Sequence, residues 1–306
     1  MTVPRICLVG AANIDLVSFT LRQPAMGETL HGTSFLLGYG GKAANQAVAA
    51  AKLGAHCSLV AKLGHDVFGE GYLKHLGGAG VDVSHVSQTS QAFSGTAAIA
   101  VDPQGRNAII VVAGANGLLR PVDVEAAGEV LSTSNVVVCQ LEVPVETTLA
   151  ALELACRAGV RTILNPAPAL PQFPDELYAA TDVFCPNEYE AFMLTGKPVE
   201  TLSDAEEVGR LLLARGPRAV ILTLGERGSL LVEEDEVLHV PAPQVKAMDS
   251  TGAGDAYIGS LAFSIAQGKM LAECMRFATR VASISVQKAG TQASYPTWEE
   301  LAAASS

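Results

Sequence analysis

A short segment, Asp249-Ser-Thr251-Gly252-Ala253-Gly254-Asp255, places two glycines and a carboxylate ahead of an apolar helical pattern through Ile258, Leu261 and Ile265. Glycines at a helix start let the backbone approach a ligand, and the unpaired N–H groups of the first turn attract an anion of phosphate size. A carboxylate beside such a hole would repel phosphate. Asp255 therefore reads as a base that takes a proton from an attacking hydroxyl, and the residues alone also admit an Asp that merely caps a glycine turn.

A second glycine cluster, Gly38-Tyr39-Gly40-Gly41-Lys42-Ala43-Ala44-Asn45-Gln46, lies between a strand-like run and a helical one. Its spacing fits G-x-G-x-x-A, so a dinucleotide turn is one reading, although the loop is not the first strand-to-helix turn. Lys42 and Asn45 as donors to an uncharged polyol form another, and a solvated glycine turn the third. Gly41-Lys42, Gly196-Lys197 and Gly268-Lys269 lack the flanking residues of a P-loop, and neither H-E-x-x-H nor G-x-S-x-G occurs. His65, His75 and His85 recur regularly without a ligand spacing and are expected at the surface.

Such groups must be positioned by a scaffold. Short runs rich in Val, Ile and Leu recur at 6–9, 57–63, 136–141, 160–164, 183–185 and 219–224, and suit strands buried on both faces. Helical patterns lie between them, as at 44–51, 145–157 and 204–215. The alternation predicts an α/β fold with a mostly parallel central sheet and helices on both faces. Ligands of such sheets bind beyond the carboxyl ends of the strands, where this chain carries Asn13, Asp15, Glu142, Asn165, Asn187 and Glu190. Segments 30–37, 95–101 and 107–112 break the rhythm. The last two are joined by Asp102-Pro-Gln-Gly105-Arg106, a hairpin signal, and a small antiparallel sheet acting as a lid is expected.

Composition agrees with a globular protein of one unit spanning 1–306, its lid built from about 15–40 and 94–113. Hydrophobic residues make up 49% of the 306 and charged residues 17%, enough for a core without a metal or disulfide scaffold. With 20 Lys and Arg against 31 Asp and Glu the net charge is −11, which excludes nucleic acid and anionic membrane surfaces as partners. The six cysteines (Cys7, Cys57, Cys139, Cys156, Cys185, Cys274) are scattered among apolar neighbours and read as buried thiols. Met1-Thr-Val-Pro-Arg5 lacks a leader pattern, and a cytoplasmic protein is expected.

Taken together these residues resemble the PfkB (ribokinase-like) sugar kinases over nearly the whole chain. The resemblance is carried by Gly40-Gly41-Lys42-Ala-Ala-Asn45-Gln46 and Asp249-Ser-Thr-Gly-Ala-Gly-Asp255. Supporting matches are Gly10-Ala-Ala-Asn13-Ile-Asp15, Ala113-Gly-Ala-Asn116, Gln140-Leu-Glu142, Asn165-Pro-Ala-Pro-Ala169, Pro186-Asn187-Glu-Tyr-Glu190, Thr223-Leu-Gly225-Glu-Arg-Gly228 and Gly290-Thr-Gln-Ala-Ser294. The family usually has Gly after the signature Lys, where this chain has Ala43.

The resemblance implies ATP-dependent phosphorylation of the 5-hydroxyl of D-ribose. Alternatives are 2-deoxyribose or another sugar or nucleoside and, more remotely, an NAD(P)-dependent oxidoreductase. It implies that Asn13, Asp15, Gly41, Lys42, Asn45 and Glu142 hold the pentose, that Asp255 is the base, and that the amides of Gly252, Ala253 and Gly254 form the anion hole. Asn187 and Glu190 would orient Mg²⁺ and the phosphates, while Thr223, Gly225 and Gly228 would line the nucleotide site. A K⁺ site is implied at Asp249, Thr251, Ser285, Lys288, Gly290 and Ser294, and a homodimer through the lid.

Overall fold

The computed structural model describes residues 3–170 and 172–303. Among them the chain forms strands β1 Arg5–Val9, β2 Asn13–Phe19, β3 Ser34–Gly40, β4 His56–Gly64, β5 Val81–Thr89, β6 Gly95–Val101, β7 Asn107–Val112, β8 Val136–Cys139, β9 Arg161–Leu164, β10 Val183–Phe184, β11 Ala219–Thr223, β12 Ser229–Val232 and β13 Val237–Val240. The α-helices are α1 Lys42–Lys52, α2 Val67–Gly78, α3 Pro121–Ala126, α4 Gly128–Ser132, α5 Val145–Arg157, α6 Asp175–Ala179, α7 Glu188–Thr195, α8 Leu202–Leu213, α9 Ala253–Ala266, α10 Leu271–Ser285 and α11 Trp298–Ala303.

Nine strands form one sheet in the order β13-β12-β11-β10-β9-β8-β1-β4-β5. From β11 to β5 every pairing is parallel, and β12 and β13 add an antiparallel edge. Strand β1 shows why its apolar run is unbroken. Ile6 and Leu8 face a core layer shared with α1, α2, α9 and α10, whereas Cys7 and Val9 face a second layer under α3 to α8. The chain leaves β1 toward β4 on one side and returns to β8 on the other, so the crevice beyond the carboxyl ends of β1 and β8 is the switch point where such folds bind ligands.

The second sheet has the order β3-β2-β6-β7. Two antiparallel hairpins, β2/β3 and β6/β7, are joined by a parallel pairing of β2 with β6. The third strand lies at Ser34–Gly40, not at 30–37, because pairing with β2 sets its register, with Asp15 opposite Gly38. Strand β7 leaves both faces in solvent: Ile109, Ile110, Val111 and Val112 are each more than half exposed, as are Phe35 and Leu36 of β3.

Three sequence expectations need correction or extension. Cys156 is exposed near the end of α5, while the other five cysteines are buried. His75 is half-buried and stacks on Tyr39, with ring centroids 4.2 Å apart, so it is not a surface residue placed by chance. Strands β5 and β13 carry too mixed a pattern to stand out as buried runs, and β12, though fully buried, has only four residues. Among the described residues no helix is long and apolar enough to cross a membrane.

Candidate active site

Helix α9 begins at Ala253, and its N-cap position is held by Gly252 in the left-handed region (φ 76°) without a side-chain cap. Asp255 is therefore not the cap. It lies in the first turn, 7% exposed, and its two oxygens accept from Asn45 Nδ2 and Gln46 Nε2, each at 2.9 Å. Both donors come from the first five residues of α1, so the two glycine-led helix starts meet at this carboxylate. Of the three amides expected in the anion hole, that of Ala253 donates to Ser250 O at 3.2 Å. A cavity of about 200 Å³ opens beside Asp255, lined by Lys42, Asn187, Glu190, Gly252 and Gly254 among others.

Lys42 opens α1, and its backbone N–H donates to Glu142 Oε2 at 2.7 Å. Burial works against its charge, but the carboxylates of Asp255, Glu142 and Glu190 outweigh that and hold its pKa above the ordinary lysine value. Gln46 is oriented in turn by Gln140 Nε2, which donates to its Oε1 at 2.6 Å. The Ala43 methyl packs away from this cavity. It lies in the core over Gly10, where a Cβ would come within 2.8 Å of it, so the departure from the family signature is accommodated by a neighbouring glycine.

On the side of the small sheet, Asn13 is buried with its Oδ1 accepting from Asn116 Nδ2 at 2.7 Å. The Asp15 carboxylate lies over β3: a Cβ on Gly40 would sit 2.4 Å from its Oδ2, so that glycine is required by space. Burial, and then the charge of Asp255, push the Asp15 carboxyl up to about 6. Burial raises Glu142 also, with Lys42 pulling the other way. The glycines of 38–41 therefore make room for a carboxylate and lead into a helix whose first residues face Asp255. The dinucleotide reading loses its basis.

A larger cleft of about 1030 Å³ continues from the small cavity, sharing Asn187, Thr223 and Gly254 with it and reaching Gly225 and Gly228. Asn187 and Glu190 form a capping box at the start of α7: Asn187 Oδ1 accepts from the Glu190 amide at 2.8 Å, and Glu190 Oε2 from the Asn187 amide at 2.9 Å. Burial raises Glu190, a buried carboxylate on the wall of the small cavity. These structural hydrogen bonds coexist with a place at the junction of the two cavities.

Next to α9, Asp249 ties two loops together, accepting from the Thr251 amide through Oδ1 and from the Gly290 amide through Oδ2, both at 2.9 Å. Burial works against its charge, yet the hydrogen bonds from Thr251 and Gly290 prevail and its pKa is lowered. The Lys288 ammonium pairs at the surface with Glu300, which leaves its backbone as the part able to face these loops. Among the described residues no cluster of three His, Cys, Asp or Glu side chains could hold a metal. A monovalent cation held by one carboxylate and backbone oxygens needs no such cluster.

The whole of this scaffold is shared with a known family, since residues 3–298 match the pfkB family carbohydrate kinases. The chain belongs to this pfkB family. The kinase is 42% identical over 300 residues to a ribokinase from Mus musculus, covering 97% of this chain and 93% of that protein. It is 39% identical over 295 residues to a deoxyribokinase from Salmonella typhi, covering 96% of each. The structure of an Arabidopsis thaliana ribokinase complexed with ribose and ATP superimposes with a TM-score of 0.91 at 30% identity, over 99% of this chain and 98% of that one.

Several residues of this pfkB kinase that reach its site were given no role by the sequence. Gln46 and Gln140 stood inside matched motifs, so their positions were visible, but the contact of Gln46 with Asp255, and of Gln140 with Gln46, was not. Tyr72, on α2, donates to the Gly40 carbonyl ahead of the Lys42 loop, and no local pattern marks it.

Proposed function

We propose that this kinase transfers the γ-phosphoryl group of ATP to the 5-hydroxyl of D-ribose. The observation that carries the reading is Asp255, held by two amide donors at the start of α9 where the two cavities join. Asp255 takes the proton of the sugar hydroxyl as its oxygen attacks the γ-phosphorus, and ADP leaves from the opposite side. The α9 amides and the Lys42 ammonium stabilise the charge on the transferring group. Asn13, Asp15, Gly41, Lys42, Asn45 and Glu142 hold the pentose, and the nucleotide lies in the larger cleft along Thr223, Gly225 and Gly228. The carboxamide of Asn187 and the carboxylate of Glu190 suit Mg²⁺ held largely through water, and that ion would supply neutralisation of phosphate charge. K⁺ beside Asp249 would order the Thr251 and Gly290 loops. The mouse and Arabidopsis relatives support ribose, and the Salmonella relative supports 2-deoxyribose as the second reading. Measuring ADP formation over pentoses, deoxypentoses, hexoses and nucleosides, in matched K⁺ and Na⁺ salts, tests the proposal: ribose should lead, with the higher rate in K⁺. A nucleoside or hexose leading would overturn it.

The raised Asp15 carboxyl gives this reading a pH dependence. Ionised Asp15 accepts hydrogen bonds from sugar hydroxyls, so KM for ribose should rise as pH falls through about 6. Below that the ionised fraction drops about tenfold per pH unit. Stability runs the other way. A carboxyl raised by folding contributes stability below the ordinary carboxylate range, and that contribution is lost as pH rises through about 6. Asp15→Asn should flatten the KM profile, and a KM profile unchanged by that substitution would exclude Asp15 as the titrating group.

The four-stranded sheet, residues of about 15–40 and 94–113, serves as a lid on a single unit of 1–306 working in the cytoplasm. Its exposed Phe35, Leu36, Ile109 and Ile110 favour pairing with the same sheet of a second chain. A dimeric mass at micromolar concentration is expected, together with ribose-induced protection of β2 and β3 from hydrogen exchange. A monomeric mass would refute the pairing.

A further inference from the structure

Behind Asp255 and Asn45 runs a chain of buried and half-buried polar side chains, Gln292, Tyr72 and His75, that the reading above does not use. Gln292 is 6% exposed, and its Nε2 donates to Asn45 Oδ1 and to the Tyr72 hydroxyl, both at 2.9 Å. Its Oε1 lies 2.8 Å from His75 Nε2. Its backbone carbonyl is anchored separately by Lys52 Nζ at 2.8 Å, so the orientation of the side-chain amide is set by its own partners. Tyr72 and His75 project from one face of α2, and Tyr39 stacks against both rings.

A carboxamide has one donating and one accepting end, and the order of ends along this chain is fixed from one terminus. The Asp255 carboxylate can only accept, so Asn45 must present Nδ2 to it. Asn45 Oδ1 then faces Gln292 and must receive the proton of Nε2. Gln292 Oε1 is left facing His75, which must carry a proton on Nε2. We infer that His75 and Gln292 are positioning residues: the His75 Nε2–H fixes the Gln292 amide, which fixes the Asn45 carboxamide so that Asp255 always meets a donor. Without a donor at position 75, Gln292 Oε1 is a buried acceptor with nothing to accept. Both amides then gain a reason to turn, and a turned Asn45 presents an oxygen to the Asp255 carboxylate.

The inference rests on Asp255 being the base, and two variants separate it from simple packing. His75→Phe keeps a ring to stack on Tyr39 and removes the donor; His75→Gln removes the ring and keeps a nitrogen donor of similar reach. Expected is a fall in kcat of about tenfold for His75→Phe, the scale of one lost hydrogen bond, with KM for ATP unchanged, and recovery to within about twofold for His75→Gln. The reverse order, equal loss in both, or no loss in either would overturn the relay. A second measurement needs no turnover. Two-bond ¹H–¹⁵N correlation spectra of the full-length labelled protein should show the His75 proton on Nε2, and an imidazole protonated on Nδ1 alone would overturn the inference. A wild-type chain that phosphorylated no sugar would instead sink the proposed function and leave the tautomer to decide the relay.

Discussion

Asp255→Asn is expected to keep the fold and to lose turnover by about 10²-fold or more, the scale on which a general base acts. The substitution is nearly isosteric, and one of the two amide donors, Asn45 Nδ2 or Gln46 Nε2, would face an NH₂ where it now meets a carboxylate oxygen. A modest loss of stability should follow from that mismatch. A second effect distinguishes charge from shape. The charge of Asp255 helps to raise Asp15 and Glu142, so removing it should move the pH midpoint for sugar binding downward, toward the ordinary carboxylate range. Steady-state kinetics and calorimetric titration with ribose across pH measure both. A folded Asp255→Asn protein with near-normal kcat would rule out the base assignment.

Gly252→Ala should be damaging in a different way. The new methyl would stand 2.5 Å from Thr291 Cγ2 and 2.6 Å from the Tyr295 hydroxyl, on a backbone with φ +76°. The left-handed conformation alone costs an Ala about 1–2 kcal/mol, and relieving the contacts must shift either the start of α9 or the 291–295 segment. Since the amides at that helix start face the transferring phosphoryl in the proposed reaction, kcat should fall by about 10²-fold, the scale of removing a donor aimed at developing charge. The melting temperature should fall with it. Gly254→Ala is the contrast, because a Cβ there meets nothing within 4 Å. It should melt like the wild type while crowding the cavity it lines. Equal melting temperatures for the two variants would show that Gly252 is not held by space and backbone as described.

The buried parallel strands were legible because both their faces are covered. Runs such as Ile6 to Val9 and Ala219 to Leu222 are continuously apolar, and the structure places β1 and β11 within a residue of those limits. The edge strands were not, because β13 is only half-buried along most of its length and β5 mixes buried and exposed positions. The third strand of the small sheet moved for a related reason: Leu30 to Leu37 is apolar enough to suggest a strand, but pairing of Asp15 with Gly38 decides where it runs. The site was legible where chemistry demands local sequence, as in the glycines and Asp255 at the start of α9. His75 and Gln292 lie far apart in sequence, and only the packing of α2 against the 290–294 segment makes them neighbours.

The small sheet is spliced into the chain with little slack. Gly10, Ala11 and Ala12 alone separate β1 from β2, and Gly41 alone separates β3 from α1. Asp15 lies on β2, whereas Lys42 and Asp255 lie on helices of the main body. In a chimera that exchanged residues 13–40 and 95–112 between two relatives, Asn13 and Asp15 of the proposed sugar site would travel with the graft, while Gly41, Lys42, Asn45 and Glu142, and Asp255 with the start of α9, stayed behind. The part of acceptor preference carried by the small sheet could then be transplanted as a cassette, and drift separately from the contacts and chemistry of the main body.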